Sequence, residues 1–290
     1  MRVETKDLTF TYSPKSKALS VQALNGISLI IESGDFYGII GQTGSGKSTF
    51  VQHLNGLIKL CKNCGSIKIG EFDLTDKKCN LKGLRAKVGM VFQYPEYQLF
   101  AETVKDDVAF ALKNFYSDLN DSQIEEKVKD AVQLVGLDYD RIKDKSPFEL
   151  SGGQKRRVAI AGVIVARPEI LVLDEPVAGL DPQGKKEFIE LLHRLHGDVV
   201  KTIVIVSHDM DLVAENCNRL AVFSKGEITL EGTPKQVFSN KVKILALGLA
   251  LPTTAYLSNC LADAGKGIEC DLTVDGFINA VVEKFGGERS

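Results

Sequence analysis

Eight residues limit this 290-residue chain more than any others: Gly41 to Ser48 read GQTGSGKS, directly after the apolar run FYGII and directly before TFVQHLNGL. A short apolar run, a glycine loop and an amphipathic continuation predict buried strand, loop and helix. That order suits a phosphate cradle. Glycines let successive backbone N–H groups curl around an anion, and the helix N-terminus adds partial positive charge. Gly41, Gln42, Thr43, Gly44, Ser45, Gly46, Lys47, Ser48 and Thr49 are therefore the candidate nucleotide contacts. Lys47 would place an ammonium between the β- and γ-phosphates, and the Ser48 hydroxyl would hold Mg²⁺. The bland reading is a flexible glycine loop that meets the pattern by chance, and the flanking strand and helix weigh against it.

Two more apolar runs, ILVLDE at Ile170 to Glu175 and TIVIVSHD at Thr202 to Asp209, are separated by the helical stretch KKEFIELLHRL. The alternation predicts a parallel sheet with helices on its faces. Asp174 closes the first run, where a carboxylate can reach the metal beside the cradle; Glu175 follows as the candidate to orient and deprotonate an attacking water. Two acids at a strand end can also be no more than its solvated edge. His208 ends the third run and could touch the γ-phosphate, although a lone histidine there is more often structural. Short alternating segments from Val3 to Glu32 predict an antiparallel β subdomain, and Val104 to Ala166 look almost wholly helical, an inserted lobe.

Leu150 to Gln154 read LSGGQ, with KRRVAIAGVIVA after it, which predicts a helix starting at Ser151. A serine and two glycines at a helix start make a second anion-binding terminus, which a single-site enzyme would not need. With this segment the chain resembles the ATPase subunits of ABC transporters from about Val3 to Gly232. The resemblance implies an α/β P-loop fold with a RecA-like, mostly parallel sheet, bound ATP and Mg²⁺, and a face-to-face dimer. In that dimer Ser151, Gly152, Gly153 and Gln154 of one subunit would close on the γ-phosphate held by the other. It also implies that Tyr12 stacks on adenine and that Gln93 links the metal site to the helical lobe. Glu175, His208, Lys47 and Gln93 would act in hydrolysis, Ser48, Gln93 and Asp174 would serve the metal, and Ala178 to Asp181 would contact the opposite subunit.

The stretch QYPEYQLFAETVKDDVAFALKNF, Gln93 to Phe115, resembles the energy-coupling factor (ECF) and cobalt-type importer ATPases, in particular the second of their two paralogous ATPases. Ala111 departs from the glycine usual there. The resemblance implies three partners: a second ATPase, paralogous or identical; an integral-membrane energising subunit; and a small membrane protein that captures a vitamin or transition-metal ion. It places the chain at the cytoplasmic face of a membrane. It further implies an ATPase domain over 1–240, with its helical lobe at about 96–166, and a C-terminal helical dimerisation domain over 241–290.

Composition removes other classes. Thirty-six Lys and Arg face 38 Asp and Glu, a formal net charge of −2, so no overall field draws the chain to nucleic acid. The N-terminus has no stretch of signal-peptide length, and the apolar run Ile244 to Leu257, broken by Pro252, is too short to span a bilayer. The chain is expected in the cytosol. Of six cysteines only Cys61 and Cys64 have the spacing of half a zinc site, and reduced thiols are expected. Two rivals share the engine: an ATPase of a conventional ABC transporter, set apart by the Gln93 to Phe115 stretch, and an ABC ATPase acting on DNA or ribosomes. The latter usually carry coiled-coil insertions, basic surfaces or tandem cassettes, which this sequence lacks.

Overall fold

A computed structural model describes residues 1–13, 20–269 and 271–286. Among the described residues ten strands form two sheets: β1 (Val3–Tyr12), β2 (Val21–Ile31), β3 (Phe36–Gly41), β4 (Ser66–Ile69), β5 (Phe72–Asp73), β6 (Val88–Val91), β7 (Ile170–Asp174), β8 (Thr202–Val206), β9 (Arg219–Ser224) and β10 (Glu227–Gly232). The antiparallel sheet has the order β2-β1-β4-β5, so half of its strands come after the glycine loop rather than before it. The larger sheet runs β10-β9-β3-β8-β7-β6, parallel except for the edge pair β9 and β10.

Twelve helices accompany them among the described residues: α1 (Lys47–Leu54), α2 (Leu81–Lys87), α3 (Val104–Phe115), α4 (Asp121–Leu134), α5 (Tyr139–Ile142), α6 (Gly152–Ile164), α7 (Pro182–Leu195), α8 (Met210–Asn216), α9 (Pro234–Phe238), α10 (Lys241–Ala246), α11 (Thr253–Asp263) and α12 (Val274–Phe285). Helices α3 to α6 form the lobe between β6 and β7, where the long helical stretch is predicted.

The parallel strands are apolar throughout because both of their faces are covered. Successive side chains point to opposite sides. Leu171, Leu173, Ile203 and Ile205 enter a core shared with α3, α4, α6 and α7. Ile170, Val172, Val204 and Val206 enter another, shared with α1 and the antiparallel sheet. Each side chain so buried contributes roughly 1.5–3 kcal/mol relative to exposure, and β7 and β8 are buried at every position. The strand that carries Asp174 and the one that leads to His208 are thus firmly held.

One expectation is corrected. Cys61 and Cys64 are joined in a disulfide rather than carrying free thiols. The turn between them, closed by Cys64 N–H donating to the Cys61 carbonyl at 3.3 Å, brings their Cα atoms to 5.4 Å, within disulfide reach.

Helix α1 also buries His53. Its Nδ1 lies 2.7 Å from the Thr49 carbonyl, which can only accept, so Nδ1 carries the proton and Nε2 is left buried without a partner. Burial holds the ring below its ordinary pKa of 6.5. The unfolded chain takes up a proton near that value while the folded chain does not, so stability should be constant above it and fall as the pH drops below it. Denaturant unfolding between pH 8 and 5 should show that acid-side loss, and His53→Phe should flatten it.

Candidate functional site

Strand order determines what meets at the carboxyl edge of the large sheet. In the pairing β3–β8–β7, Ile39 and Asp174 both lie opposite Val206. The residues beyond them are stitched together: Ser207 N–H donates to the Ile39 carbonyl at 3.2 Å, and Glu175 N–H to the Val206 carbonyl at 3.0 Å. Gly41, Asp174, Glu175, Ser207 and His208, up to 167 residues apart in sequence, therefore share one edge, where open α/β sheets place ligands.

The glycine loop turns as expected. Gly41 lies at φ +150°, and a side chain there would overlap the Phe223 carbonyl oxygen; Gly46, at φ +104°, is the N-cap of α1. Ser45, Gly46, Lys47 and Thr49 are buried, whereas Gln42, Thr43, Gly44 and Ser48 are exposed on the cradle's open side. The Lys47 ammonium donates to the carbonyls of Gly41 and Gln42 at 2.8 and 2.9 Å. Burial pushes its pKa down, while Glu175 and Asp174 pull it up.

Asp174 is buried, and burial chiefly raises its pKa, as does neighbouring Glu175; a hydrogen bond from Ser48 and the charge of Lys47 oppose the rise. Asp174 Oδ1 has no hydrogen-bond partner. Glu175 Oε2 lies 2.7 Å from His208 Nδ1, but the ring N–H is not aligned with it, so this oxygen too is without a hydrogen bond. The unsatisfied Asp174 oxygen beside the Ser48 hydroxyl offers hard oxygen donors of the kind that suit a magnesium ion, and the unsatisfied Glu175 oxygen is left to accept from a water. Glu175 also sits at φ +49°, a conformation costing a non-glycine residue about 1 kcal/mol or more that recurs at functional sites.

Other predicted residues take distinct places. Tyr12, at the end of β1, is half-exposed, and its hydroxyl lies 3.1 Å from Thr49 Oγ1, which puts the ring beside the cradle helix. Phe10 packs edge-on against it at 4.8 Å. Gln93 is exposed, two residues beyond β6. Ser151 caps α6 reciprocally with Gln154, at 3.3 and 3.1 Å, and Gly152 and Gly153 face open space. Ser151 and Gln154 thus satisfy each other, and among the described residues neither of these hydrogen bonds reaches the chain's own cradle.

An ABC transporter family model matches residues 24–178. The chain is 46% identical over 268 residues to the energy-coupling factor transporter ATP-binding protein EcfA2 of Clostridium tetani, covering 92% of this chain and 91% of that one. It is 48% identical to the protein of that name in Clostridioides difficile, covering 94% and 93%. The chain belongs to the energy-coupling factor transporter ATPases, a branch of the ABC ATPases. Among solved structures it resembles cbiO1 of Clostridium perfringens, described as part of the ABC transporter complex cbiONQ. The TM-score is 0.71 at 37% identity, covering 88% of this chain and 97% of that one. It also resembles the dimeric ADP- and phosphate-bound cassette MJ0796, with a TM-score of 0.70 at 29% identity, covering 80% and 98%.

Sequence reasoning missed one residue of this ATPase. Arg156, buried in α6, meets Glu96 in bidentate fashion at 3.1 and 3.2 Å and donates to the Pro176 and Ala178 carbonyls at 3.3 and 3.1 Å. One guanidinium so joins the signature helix, the segment after Gln93 and the loop after Glu175. Nothing in KRR distinguishes a buried arginine from a solvated one. Arg156→Ala would strand the Glu96 charge and should cost about 3 kcal/mol. Adding Glu96→Gln should recover part of that loss in denaturant unfolding.

Proposed function

We propose that this ATPase drives uptake of a small solute, a vitamin or transition-metal ion, by closing and reopening against a second ATPase subunit, paralogous or identical. Its other partners would be an integral-membrane energising subunit and a small solute-capturing membrane protein. No helix among the described residues is long and apolar enough to cross a membrane; the subunit would sit peripherally at the cytoplasmic face, held by those partners. The relatives named as energy-coupling factor transporter ATPases support this reading.

The observation that carries the mechanism is the open, self-capped start of α6, with Gly152 and Gly153 facing free space. Its amides are available to an anion that the chain's own cradle does not present. ATP would lie with adenine against Tyr12 and its phosphates among the amides of Gly41 to Thr49. The partner's signature segment would complete the γ-phosphate's surroundings. Lys47 would exchange its two loop carbonyls for phosphate oxygens. Mg²⁺, held by Ser48 and Asp174 with Gln93 at its edge, would supply charge neutralisation. Glu175 orients and deprotonates the attacking water, and His208 contacts the γ-phosphate and steadies Glu175. Loss of the phosphate bridge then releases the two subunits. Helices α11 and α12, with Val274, Ile278, Val282 and Phe285 exposed, would add a second contact between ATPases as the dimerisation domain over 241–290.

Glu175→Gln should lower steady-state hydrolysis in the assembled complex about a hundredfold or more while ATP still binds and the dimer stays closed. Unchanged turnover would remove Glu175 as the base. Lys47→Ala should abolish nucleotide binding and solute uptake together, measured by fluorescent-nucleotide titration and by transport into vesicles.

A further inference from the structure

The helix that follows His208 is short, seven residues from Met210 to Asn216, and it is held from both ends. At its start the Asp209 carboxylate caps it, accepting from Leu212 N–H at 3.0 Å, and pairs with Lys185 on α7. Its outer face carries Asp211 and Glu215, and both carboxylates reach into the C-terminal helices. Asp211 accepts from the Thr253 N–H at 2.6 Å and from the Thr253 hydroxyl at 2.8 Å. Glu215 accepts from the Val274 N–H at 3.3 Å.

These are the first amides of α11 and α12, groups that no bond within their own helix can satisfy. The need is acute at α11, whose N-cap is Pro252 and offers no side-chain cap. Asp211 supplies from another element what proline cannot. Thr254 ties the two C-terminal helices together through its hydroxyl, which donates to the Leu272 carbonyl at 2.8 Å. A third contact lies on the cradle itself. The turn after α10 brings Gly248, at φ +68°, so close that a side chain there would overlap Gln42 Nε2. The C-terminal segment thus touches the nucleotide edge both at the glycine loop and behind the histidine.

His208 needs such support, because its side chain is 74% exposed and Glu175 is its one ion-pair contact among the described residues. Its position follows from the backbone of Ser207 to Met210, which is anchored by the end of β8 on one side and by α8 on the other. We propose that Asp211, seconded by Glu215, is a positioning residue for hydrolysis. By capping α11 and α12 from α8, it makes the placement of His208 depend on how the C-terminal helices are held, so that their pairing with a second ATPase sets turnover. The proposal rests on the reading of His208 given above.

The test uses the full-length protein in its assembled complex. Asp211→Ala removes the acceptor. Thr253→Pro removes both donors and should leave α11 intact, since proline is well tolerated at the first helical position and Pro252, at ψ 145°, already has the extended backbone a following proline requires. Each variant should lower kcat about fivefold, with KM for ATP and fluorescent-nucleotide affinity unchanged and the complex intact by native mass measurement. The double variant should be no worse than either single one, because both break the same bonds. In a His208→Ala background Asp211→Ala should cause no further loss. Wild-type kcat in both single variants overturns the proposal, and so does an Asp211→Ala loss equally large with and without His208. Wild-type turnover in His208→Ala alone overturns instead the role of His208, and with it the basis of the proposal.

Discussion

Everything at the nucleotide edge depends on one electrostatic imbalance. A buried ammonium on Lys47 faces the carboxylates of Asp174 and Glu175: their charge pulls the Lys47 pKa up against the cost of its desolvation, while burial and the neighbouring Glu175 raise the Asp174 pKa and Ser48 and Lys47 oppose that rise. Lys47 is provisionally satisfied by two loop carbonyls, whereas each carboxylate keeps an oxygen with no hydrogen bond. Unsatisfied buried acceptors are costly when no ligand is present. On the proposed reading they would become favourable with a metal–triphosphate bound, because the cation would meet Asp174 and the anion would meet the ammonium and amides. The fully buried β7 and β8 keep these groups from relaxing apart.

The two helix starts that can receive anions, at α1 and α6, are handled differently. The first opens from a glycine loop into the chain's own cradle. The second is closed by the reciprocal Ser151 and Gln154 cap but keeps two glycines uncovered. A reciprocal cap uses only the Ser151 and Gln154 N–H groups and leaves the remaining first-turn amides for a visitor. Since among the described residues those amides bond to nothing in their own subunit's cradle, a ligand gripped by both termini would, on the proposed reading, lie between polypeptides.

Much of this could be read from residue order. FYGII, ILVLD and TIVIV are unbroken apolar runs because strands covered on both faces have no polar side, and GQTGSGKS and LSGGQ need glycine at places where backbone must approach an anion. The order of strands could not be read that way. Strand β6, VGMV, is only four residues long and gives no periodic signal, yet it forms the sheet edge from which Gln93 projects. The antiparallel sheet was legible only in β1 and β2, because β4 and β5 are too short to announce their pairing across the glycine loop. Arg156 and Asp211 were invisible for a different reason. Each is an ordinary surface-type residue in sequence, and its partners lie about 20 to 60 positions away, so its role exists only after folding. Cys61 and Cys64 fell between these cases, since their spacing suggested half a zinc site and only the folded turn brings them into a disulfide.

The residues that escaped sequence reading share a physical type, and the type fits their place. The two cores are apolar, and apolar packing is non-directional: it holds layers together but tolerates small slides between them. The links leading away from the nucleotide edge are charged hydrogen bonds, Arg156 to Glu96 toward the helical lobe, Asp209 to Lys185 toward α7, and Asp211 to Thr253 toward the C-terminal helices. Such bonds have narrow geometric tolerances, so a displacement of one partner must either carry the other with it or break the bond. A machine that converts loss of a phosphate into motion of remote helices needs stiff, directional connections at a few points within a forgiving apolar body. The placement of charged hydrogen bonds in this chain has that form.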